Sequence, residues 1–594
     1  MHAHTPPPPP PPPPPAPNAS TPYRVDSTTS NMAGARHKVG ELLRHARRRS
    51  TAALDKALSL LSSPSWSYVQ HHVVKERVAR WRRALAGRFW RRLGSLLVHV
   101  AYFLAVSWLG YLLLAQLRFR AGSDGTRRPR GMDLFFTAVS AATVSSMSTV
   151  EMEVFSNGQL VVLTTLMFVG GEVFLSLLGL ASKWSKLRKQ TVHKSSRRVD
   201  NHDVPELEMP PVDAATELDN PTSMTSTVDD EMSKPLDHFD DTRLRRDAVL
   251  SLFFVVLAIL LAVHVLGAGA IVAYIVHASP AARRTLRDKA LNVWTFAVFT
   301  TVSTFSSCGY MPTNENMIVF KRDTGLQLLL VTQALVGNTL FPPLLAACVR
   351  VAAAATRRVE LKETAKKGRE LTGYYHLLPA RRCAMLAATV VGFLAVQVAM
   401  LCGMEWGGAL RGMSPWEKVS NAVFLAVNSR HTGESTLDLC TLAPAVLVLF
   451  VLMMYLPPYT TWFPFEESSG VKDHPTEETQ GARLLKSTLL SQLSYLVIFV
   501  IAICITEREK LKEDPLNFNL LSIVVEVVSA YGNVGFSMGY SCSRQISPDG
   551  MCTDRWTGFA GRWSDSGKLI LILVMLFGRL KKFSMYTGKA WKLS

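Results

Sequence analysis

The chain has 594 residues, of which 48% are hydrophobic, with a mean hydropathy of +0.15 and a net charge of +19. Its length fits several soluble domains or one membrane protein. Repeated apolar runs of about 20 residues favour the membrane protein, because each can cross about 30 Å of hydrocarbon. The Lys and Arg residues cluster beside these runs, which is typical of membrane topology and argues against a nucleic-acid partner.

The N-terminal region differs from the rest of the chain. It contains a run of prolines at residues 6–15 and a polar tract, and this composition does not form a buried core. A basic stretch follows, directly before the first apolar run. Because positively charged flanks remain in the cytosol, we predict that residues 1–90 are a disordered, proline-rich and basic cytosolic N-terminus.

Eight apolar runs predict eight transmembrane helices, so that both termini are cytosolic. The helices are predicted at residues 93–117, 160–183, 249–276, 325–351, 385–404, 442–462, 485–506 and 567–579. They form pairs with polar segments between the pairs. The predicted divisions are 91–183 (repeat 1), 184–246 (cytosolic linker, expected to be largely disordered), 247–351 (repeat 2), 352–382 (basic cytosolic loop), 383–464 (repeat 3), 465–484 (cytosolic loop) and 485–594 (repeat 4 and a short tail).

A half-apolar segment rich in small and polar residues separates the two helices of every pair. The four segments are FFTAVSAATVSSMSTVEMEVFSN from Phe135, WTFAVFTTVSTFSSCGYMPTNENM from Trp294, VFLAVNSRHTGES from Val423 and VVEVVSAYGNVGFSMGY from Val524. Each is too short to cross the bilayer twice, and non-helical backbone at membrane depth must be buried in protein or line water. We predict an all-α polytopic membrane protein with four re-entrant pore loops around one central pore.

Three of the four segments carry a glycine at an equivalent place. These are Gly309 in SSCGY, Gly433 in SRHTGES and Gly535 in GNVGF, and the first segment has Ser148 in SSMSTVE. An ion that enters a narrow pore loses water, which rings of backbone carbonyls replace. Glycine adopts at low cost the backbone conformations that turn successive carbonyls inward. We therefore predict a selectivity filter at these four residues.

The quoted segments, together with FGRLKKFSM near the C-terminus, resemble the plant high-affinity potassium transporter (HKT) family of the Trk/Ktr/HKT cation transporters, over about residues 90–594. The resemblance implies a four-fold pseudo-symmetric pore, a homodimer, and the plasma membrane of plant cells. Serine in the first loop is similar to the class I subgroup, which implies passive sodium-selective uniport that serves sodium homeostasis and salt tolerance. Sodium at the filter is then the transported ion, and no cofactor is expected.

Polar residues beside the filter are candidates for the outer mouth of the pore. Glu151 and Glu153 follow the first loop, and Asn314 and Glu315 follow the second. Such carboxylates either concentrate cations electrostatically or brace the loops, and the sequence leaves both roles open.

Ionisable residues inside apolar helices are candidates for the inner part of the pore. Glu172 lies within the second predicted helix and Arg579 within the last, where Lys581 and Lys582 follow. Because intramembrane charges pair or line water, we expect Glu172 to meet Arg579 or one of the two lysines. Snorkelling to the headgroups is the alternative for the lysines. Asn338 either faces the pore or forms a hydrogen bond between helices.

The eight cysteines show no metal-type spacing. Cys542 and Cys552 share a polar segment that we place outside the cell, where a disulfide between them can persist.

Two rival functions stay open from the sequence. Potassium transport or sodium–potassium symport requires only the same fold. A membrane scaffold that binds partners through its proline-rich tail is a different class, and the pore loops argue against it. An enzyme is not expected, because the sequence shows no nucleotide-binding loop and no nucleophile–base constellation.

Overall fold

A computed structural model describes residues 97–120, 129–200, 228–461, 492–546 and 552–584. Of residues 192–200, 228–241, 492 and 582–584, it describes only the backbone. Within these ranges the regular elements are helical and no strand is present. The predicted N-terminus 1–90 and the loop 465–484 lie outside the described residues, as do residues 201–227 of the predicted linker.

The α-helices of these ranges are numbered in chain order. They are α1 (Leu97–Gln116), α2 (Gly131–Ala142), α3 (Asn157–Gly170), α4 (Glu172–Asp200), α5 (Val228–His277), α6 (Pro280–Asp288), α7 (Val293–Phe305), α8 (Thr324–Gly337), α9 (Phe341–Thr356), α10 (Val359–Thr372), α11 (Ala380–Glu405), α12 (Pro415–Asn428), α13 (Pro444–Tyr455), α14 (Gln492–Thr506), α15 (Arg508–Glu513), α16 (Leu520–Gly532) and α17 (Asp565–Ser584).

Among the described residues, each predicted transmembrane segment contains helix, and two of the segments are bent. By length and composition, α1, α5 (over Thr242–His277) and α11 can each cross a membrane within the described ranges. The predicted helix 160–183 is α3 followed by α4 at an angle of 55°, and 325–351 is α8 followed by α9 at 78°. If each bent pair is one span, the number rises from three to five. Helices α13 and α14 are apolar but shorter.

The bends occur where the backbone leaves the helical region. Gly171 separates α3 from α4 with extended angles (φ −60°, ψ 142°), and Asn338 ends α8 with φ −132° and ψ −98°. Pro342 and Pro343 then open α9, where prolines are tolerated because the first turn of a helix has no intrahelical partner for its N–H groups.

One contact recurs in three of the repeats and supports the internal repetition. The last residue of a short helix, or the residue one before it, places its carbonyl oxygen against a glycine of the following apolar helix. A Cβ added to Gly170, Gly337 or Gly578 would lie 2.1, 2.1 and 2.0 Å from the carbonyl oxygens of Ala142, Phe305 and Tyr531. Only glycine permits this backbone approach, so the three repeats pack the short helix in the same way.

Helices extend into two segments that were predicted to be polar connections. The expectation of a largely disordered linker at 184–246 is wrong for its ends, because α4 continues to Asp200 and α5 begins at Val228. Residues 184–200 contain neither proline nor glycine, so nothing in the sequence terminates α4 there. The basic loop 352–382 contains α10.

Large apolar side chains face outward along the long helices. Trp108 and Leu109 on α1 are 56% and 59% exposed, and Val265 and Leu266 on α5 are both 70% exposed. A soluble protein rarely leaves apolar surface of this extent uncovered, whereas lipid tails cover it without cost. The fold is therefore that of a multi-pass helical membrane protein.

Candidate cation pathway

Four short helices bring four loops together inside the fold. Helices α2, α7, α12 and α16 are followed by loops that we name L1 (residues 143–151), L2 (306–317), L3 (429–438) and L4 (533–541). Residues of all four loops line one open cavity with a volume of about 170 Å³. Because each loop follows a helix C-terminus, the partial negative charges of four helix ends lie beside the loops, which favours a cation there.

The four loops meet most closely at one ring of residues. A Cβ added to Gly309 would lie 1.5 Å from the carbonyl oxygen of Thr432, and one added to Gly433 would lie 2.6 Å from the carbonyl carbon of Gly535. A Cβ on Gly535 would lie 2.4 Å from the Cβ of Ser146. Ser146, Gly309, Gly433 and Gly535 all have positive φ, at 52°, 92°, 68° and 107°. We call these four residues the central ring.

The first-loop member of the ring is Ser146, which corrects the assignment of Ser148 by two positions. The backbone shows the equivalence, because in three loops the residue before the ring donates its N–H to a serine carbonyl five residues earlier. These bonds are Ser145 to Ser140, Cys308 to Ser303 and Val534 to Ser529, at 2.8, 2.9 and 3.0 Å.

Ser148 lines the cavity beyond the ring. Its hydroxyl donates to the carbonyl of Val150 (2.8 Å), and its own carbonyl accepts the N–H of Gly558 (2.9 Å). Ser148 therefore joins L1 to the segment before α17, whereas Ser146 carries the backbone conformation that the three glycines share.

The acidic residues in and directly after L1 and those in L2 are held by neighbouring groups. Lys289 contacts both Glu153 and Glu315 at 2.6 Å, and Glu153 also accepts the N–H of Asn314 (3.0 Å) while its own N–H donates to the Asn314 side chain (2.8 Å). Burial alone lowers the pKa of Lys289, but its hydrogen bonds to both carboxylates raise it, so the net pKa lies above the ordinary lysine value. Glu151 accepts the backbone N–H of Trp556 (3.1 Å). These contacts brace the loops.

The segment before α17 carries a disulfide, and two arginines of this segment line the cavity. Cys542 and Cys552, a possible pair from the sequence, form a disulfide. Arg544 follows Cys542 and Arg555 follows Cys552 in sequence, and both arginines line the cavity, together with Asp438 of the third repeat. The mouth therefore carries charges of both signs.

The ionisable residues of the apolar helices cluster where the helices bend. Arg579 is 1% exposed, donates to the carbonyl of Gly170 at the end of α3, and interacts electrostatically with Glu172. Glu172 also lies 3.9 Å from the ring of His376, which enters from the segment between α10 and α11. Lys581 contacts the hydroxyl of Tyr531, and the side chain of Lys582 lies outside the described residues.

Asn338 connects the bend of the second repeat to loop L2. Its side-chain amide donates to the hydroxyl of Ser307 (3.0 Å), and the side chain is buried. The sequence left open whether Asn338 faces the pore or forms a hydrogen bond between helices. The structure shows a hydrogen bond, but its partner Ser307 lies in a loop and not on another helix.

Sequence reasoning missed three polar residues around the loops. Lys289 lies far from L1 in sequence, so no local pattern linked it to the acids that it binds. Lys568 is 4% exposed and pairs with Asp133 at the start of α2 (2.6 Å). Glu434 is completely buried directly after Gly433. Its only sequence signal was its place in the quoted segment SRHTGES.

The fold and this site define a multi-pass helical membrane protein whose buried loops are suited to small cations. The chain belongs to the TrkH family, described as cation transport proteins, whose family model matches residues 231–593. It is 69% identical over 515 residues to the "Probable cation transporter HKT1;4" of Oryza sativa subsp. japonica, covering 86% of this chain and 99% of the relative. It is 44% identical over 476 residues to the "Sodium transporter HKT1" of Arabidopsis thaliana, covering 79% and 90%.

A crystal structure of the potassium transporter TrkH from Vibrio parahaemolyticus also matches, with 14% identity, 82% of this chain and 83% of that chain covered, and a TM-score of 0.44. The resemblance to HKT transporters of the Trk/Ktr/HKT superfamily is thus confirmed by the sequence relatives, and the chain is a cation transporter rather than an enzyme.

Proposed function

We propose that this chain conducts sodium passively and selectively, as a channel-like uniporter, through a filter formed by the central ring. The observation that carries this proposal is the meeting of four loops from four repeats at Ser146, Gly309, Gly433 and Gly535. The relative from Arabidopsis thaliana is named a sodium transporter, which supports the choice of ion.

In this proposal the backbone conformation of the ring turns carbonyl groups toward a common axis, where they replace the water that an entering cation loses. Ser146 is the one ring member with a side chain. Its Cβ and hydroxyl approach Gly535, so the ring is more crowded on this side than a ring of four glycines. We infer that this crowding disfavours the larger potassium ion.

The membrane arrangement in this proposal has eight spans and four re-entrant loops, with both termini in the cytosol of a plant cell and the pore in its plasma membrane. This arrangement follows the eight predicted spans, and the apolar helices of the described residues correspond to these spans. We further propose a homodimer with one pore in each chain, embedded in lipid, and a role in sodium homeostasis and salt tolerance.

The main alternative is potassium transport, or sodium–potassium symport, on the same fold. "Potassium transporter TRK1" of Candida albicans is 28% identical over 309 residues, which are 48% of this chain. Expression in oocytes with voltage clamp distinguishes the two. Sodium uniport predicts a reversal potential that follows bath sodium and is insensitive to bath potassium, and a reversal potential that follows potassium would contradict it.

A further inference from the structure

Glu434 is a carboxylate buried directly behind the central ring. It follows Gly433 in L3, has no exposed surface, and is not among the residues that line the outer cavity. Its Oε1 accepts a hydrogen bond from the hydroxyl of Thr304 at 2.6 Å. Its Oε2 has no hydrogen-bond partner in the part of the chain that the structure describes. Because burial leaves this carboxyl group without water, it depends on the hydrogen bonds that the protein supplies.

The bond to Thr304 joins two different repeats. Thr304 lies on α7, five residues before Gly309, whereas Glu434 lies one residue after Gly433. The bond therefore connects the helix behind one ring member to the loop that carries the next. At the same seam the carbonyl oxygen of Thr432 packs against Gly309, with no room for a Cβ.

A second set of contacts closes this seam on the outer side. The carbonyl of Ser435 accepts the N–H of Met317 (3.1 Å), and the side chain of Asn316 accepts the N–H of Ser435 (3.4 Å). Loop L3 is thus held against the second repeat both before and after Glu434.

We propose that Glu434 is a positioning residue of the filter, which fixes the backbone of Gly433 by its hydrogen bond to Thr304. The inference rests on the proposed function of the ring. A carbonyl displaced by a fraction of an ångström changes the fit to an ion, and precise sites depend on supporting hydrogen bonds behind them. Breaking this bond loosens L3 relative to L2 and weakens discrimination between sodium and potassium.

The test measures the sodium-to-potassium permeability ratio from reversal potentials, which does not depend on how many molecules reach the membrane. Thr304→Val removes the donor with little change in shape, and we expect the ratio to fall at least about threefold. Thr304→Ser keeps a hydroxyl and retains the wild-type ratio. Glu434→Gln keeps an acceptor for Thr304, and its ratio stays closer to wild type than that of Glu434→Ala.

The double variant Thr304→Val with Glu434→Ala completes the cycle. If the two residues act through one bond, the permeability ratio of the double variant matches that of the more affected single variant. Independent effects of the two changes would overturn the proposal, as would a Thr304→Val ratio equal to wild type. A Glu434→Gln ratio as low as that of Glu434→Ala would also overturn it, because charge and not the bond would then be responsible.

Controls separate this inference from the proposed function. Glu405→Gln changes another buried carboxylate, which accepts the N–H of Ala443 (2.7 Å) away from the ring, and it leaves the ratio unchanged. If wild type itself shows no preference for sodium, the proposed function fails. If wild type is selective and Thr304→Val equally so, only the role of Glu434 fails. Where Glu434→Ala does not reach the membrane, Thr304→Val and Thr304→Ser still decide.

Discussion

Replacement of Gly433 by alanine tests the tight contact of the central ring, and Gly539 provides a matched control. The two glycines have similar φ angles, 68° and 62°, and both line the cavity between the loops. A Cβ at Gly433 would lie 2.4 Å from the carbonyl oxygen of Val534 and 2.7 Å from the Cα of Gly535, whereas a Cβ at Gly539 meets nothing within 4 Å.

The structure allows the two costs to be separated. An L-residue at positive φ costs about 1–2 kcal/mol, and both variants incur this cost. Overpacking against backbone adds about 1–3 kcal/mol, and only Gly433→Ala incurs it, because a carbonyl group cannot move aside as a flexible side chain does. Gly433→Ala must therefore displace L4 or L3 by a distance that is large on the scale of ion coordination.

We expect Gly433→Ala to reduce sodium current at least about tenfold relative to Gly539→Ala, since about 1.4 kcal/mol corresponds to a factor of ten. The assay is whole-cell current in sodium, normalised to biotinylated protein at the cell surface. Equal normalised currents for the two variants would refute the close packing of L3 against L4 at the ring.

Three further predictions concern charges and the disulfide. Lys289→Met removes the ion pair with Glu315 and lowers the free energy of unfolding in detergent by about 1–3 kcal/mol. Because the pKa of Lys289 is raised in the folded state, the ion pair stabilises the protein fully below the pKa of an unfolded lysine. This stabilisation is lost as the pH rises through the pKa of the folded state. Arg579→Ala increases current amplitude and alters rectification, because it removes a buried positive charge beside the bend. After mild reduction, Cys542 and Cys552 react in intact cells with an impermeant maleimide.

Each of these has a result that would contradict it. An unfolding midpoint of Lys289→Met equal to that of Lys366→Met, a change at an exposed lysine that pairs with Glu363, would show that the bridge adds no stability. If Arg579→Ala leaves current amplitude and rectification unchanged, the charge of Arg579 does not act on the ion pathway. Labelling of the two cysteines only after permeabilisation would place their segment in the cytosol.

The sequence predicted the helices because apolar length is a local property, and it missed the bends because those depend on contacts. Gly171 and Asn338 look like ordinary interior residues of two long apolar runs. The bend at Asn338 involves a hydrogen bond to Ser307, which lies 31 residues away. The adjoining prolines of α9 are helix breakers, but nothing local gave the angle of 78°.

The ring shows a similar division between local and long-range information. Gly309, Gly433 and Gly535 were predicted correctly to lie together, because glycine marks the required backbone conformation in each loop. The first loop has no glycine, so its sequence offers several serines and no marker for the correct one. The backbone hydrogen bond of Ser145 was needed to place Ser146 and not Ser148 in the ring.

Bonds between repeats lay beyond sequence reasoning altogether. Thr304 and Glu434 are 130 residues apart, and Glu153 and Lys289 are 136 apart. No sequence motif marks either pair, because the geometry that joins the two residues exists only after distant parts of the chain have packed together.

The most direct test of the central claim compares Ser146→Gly with Ser148→Gly in the same voltage-clamp experiment. Bath sodium is exchanged for potassium and the change in reversal potential is measured for wild type and both variants. A ring that contains Ser146 predicts that Ser146→Gly admits potassium and shrinks this change, while Ser148→Gly behaves as wild type. A reduced change in Ser148→Gly alone, or in neither variant, would contradict the account.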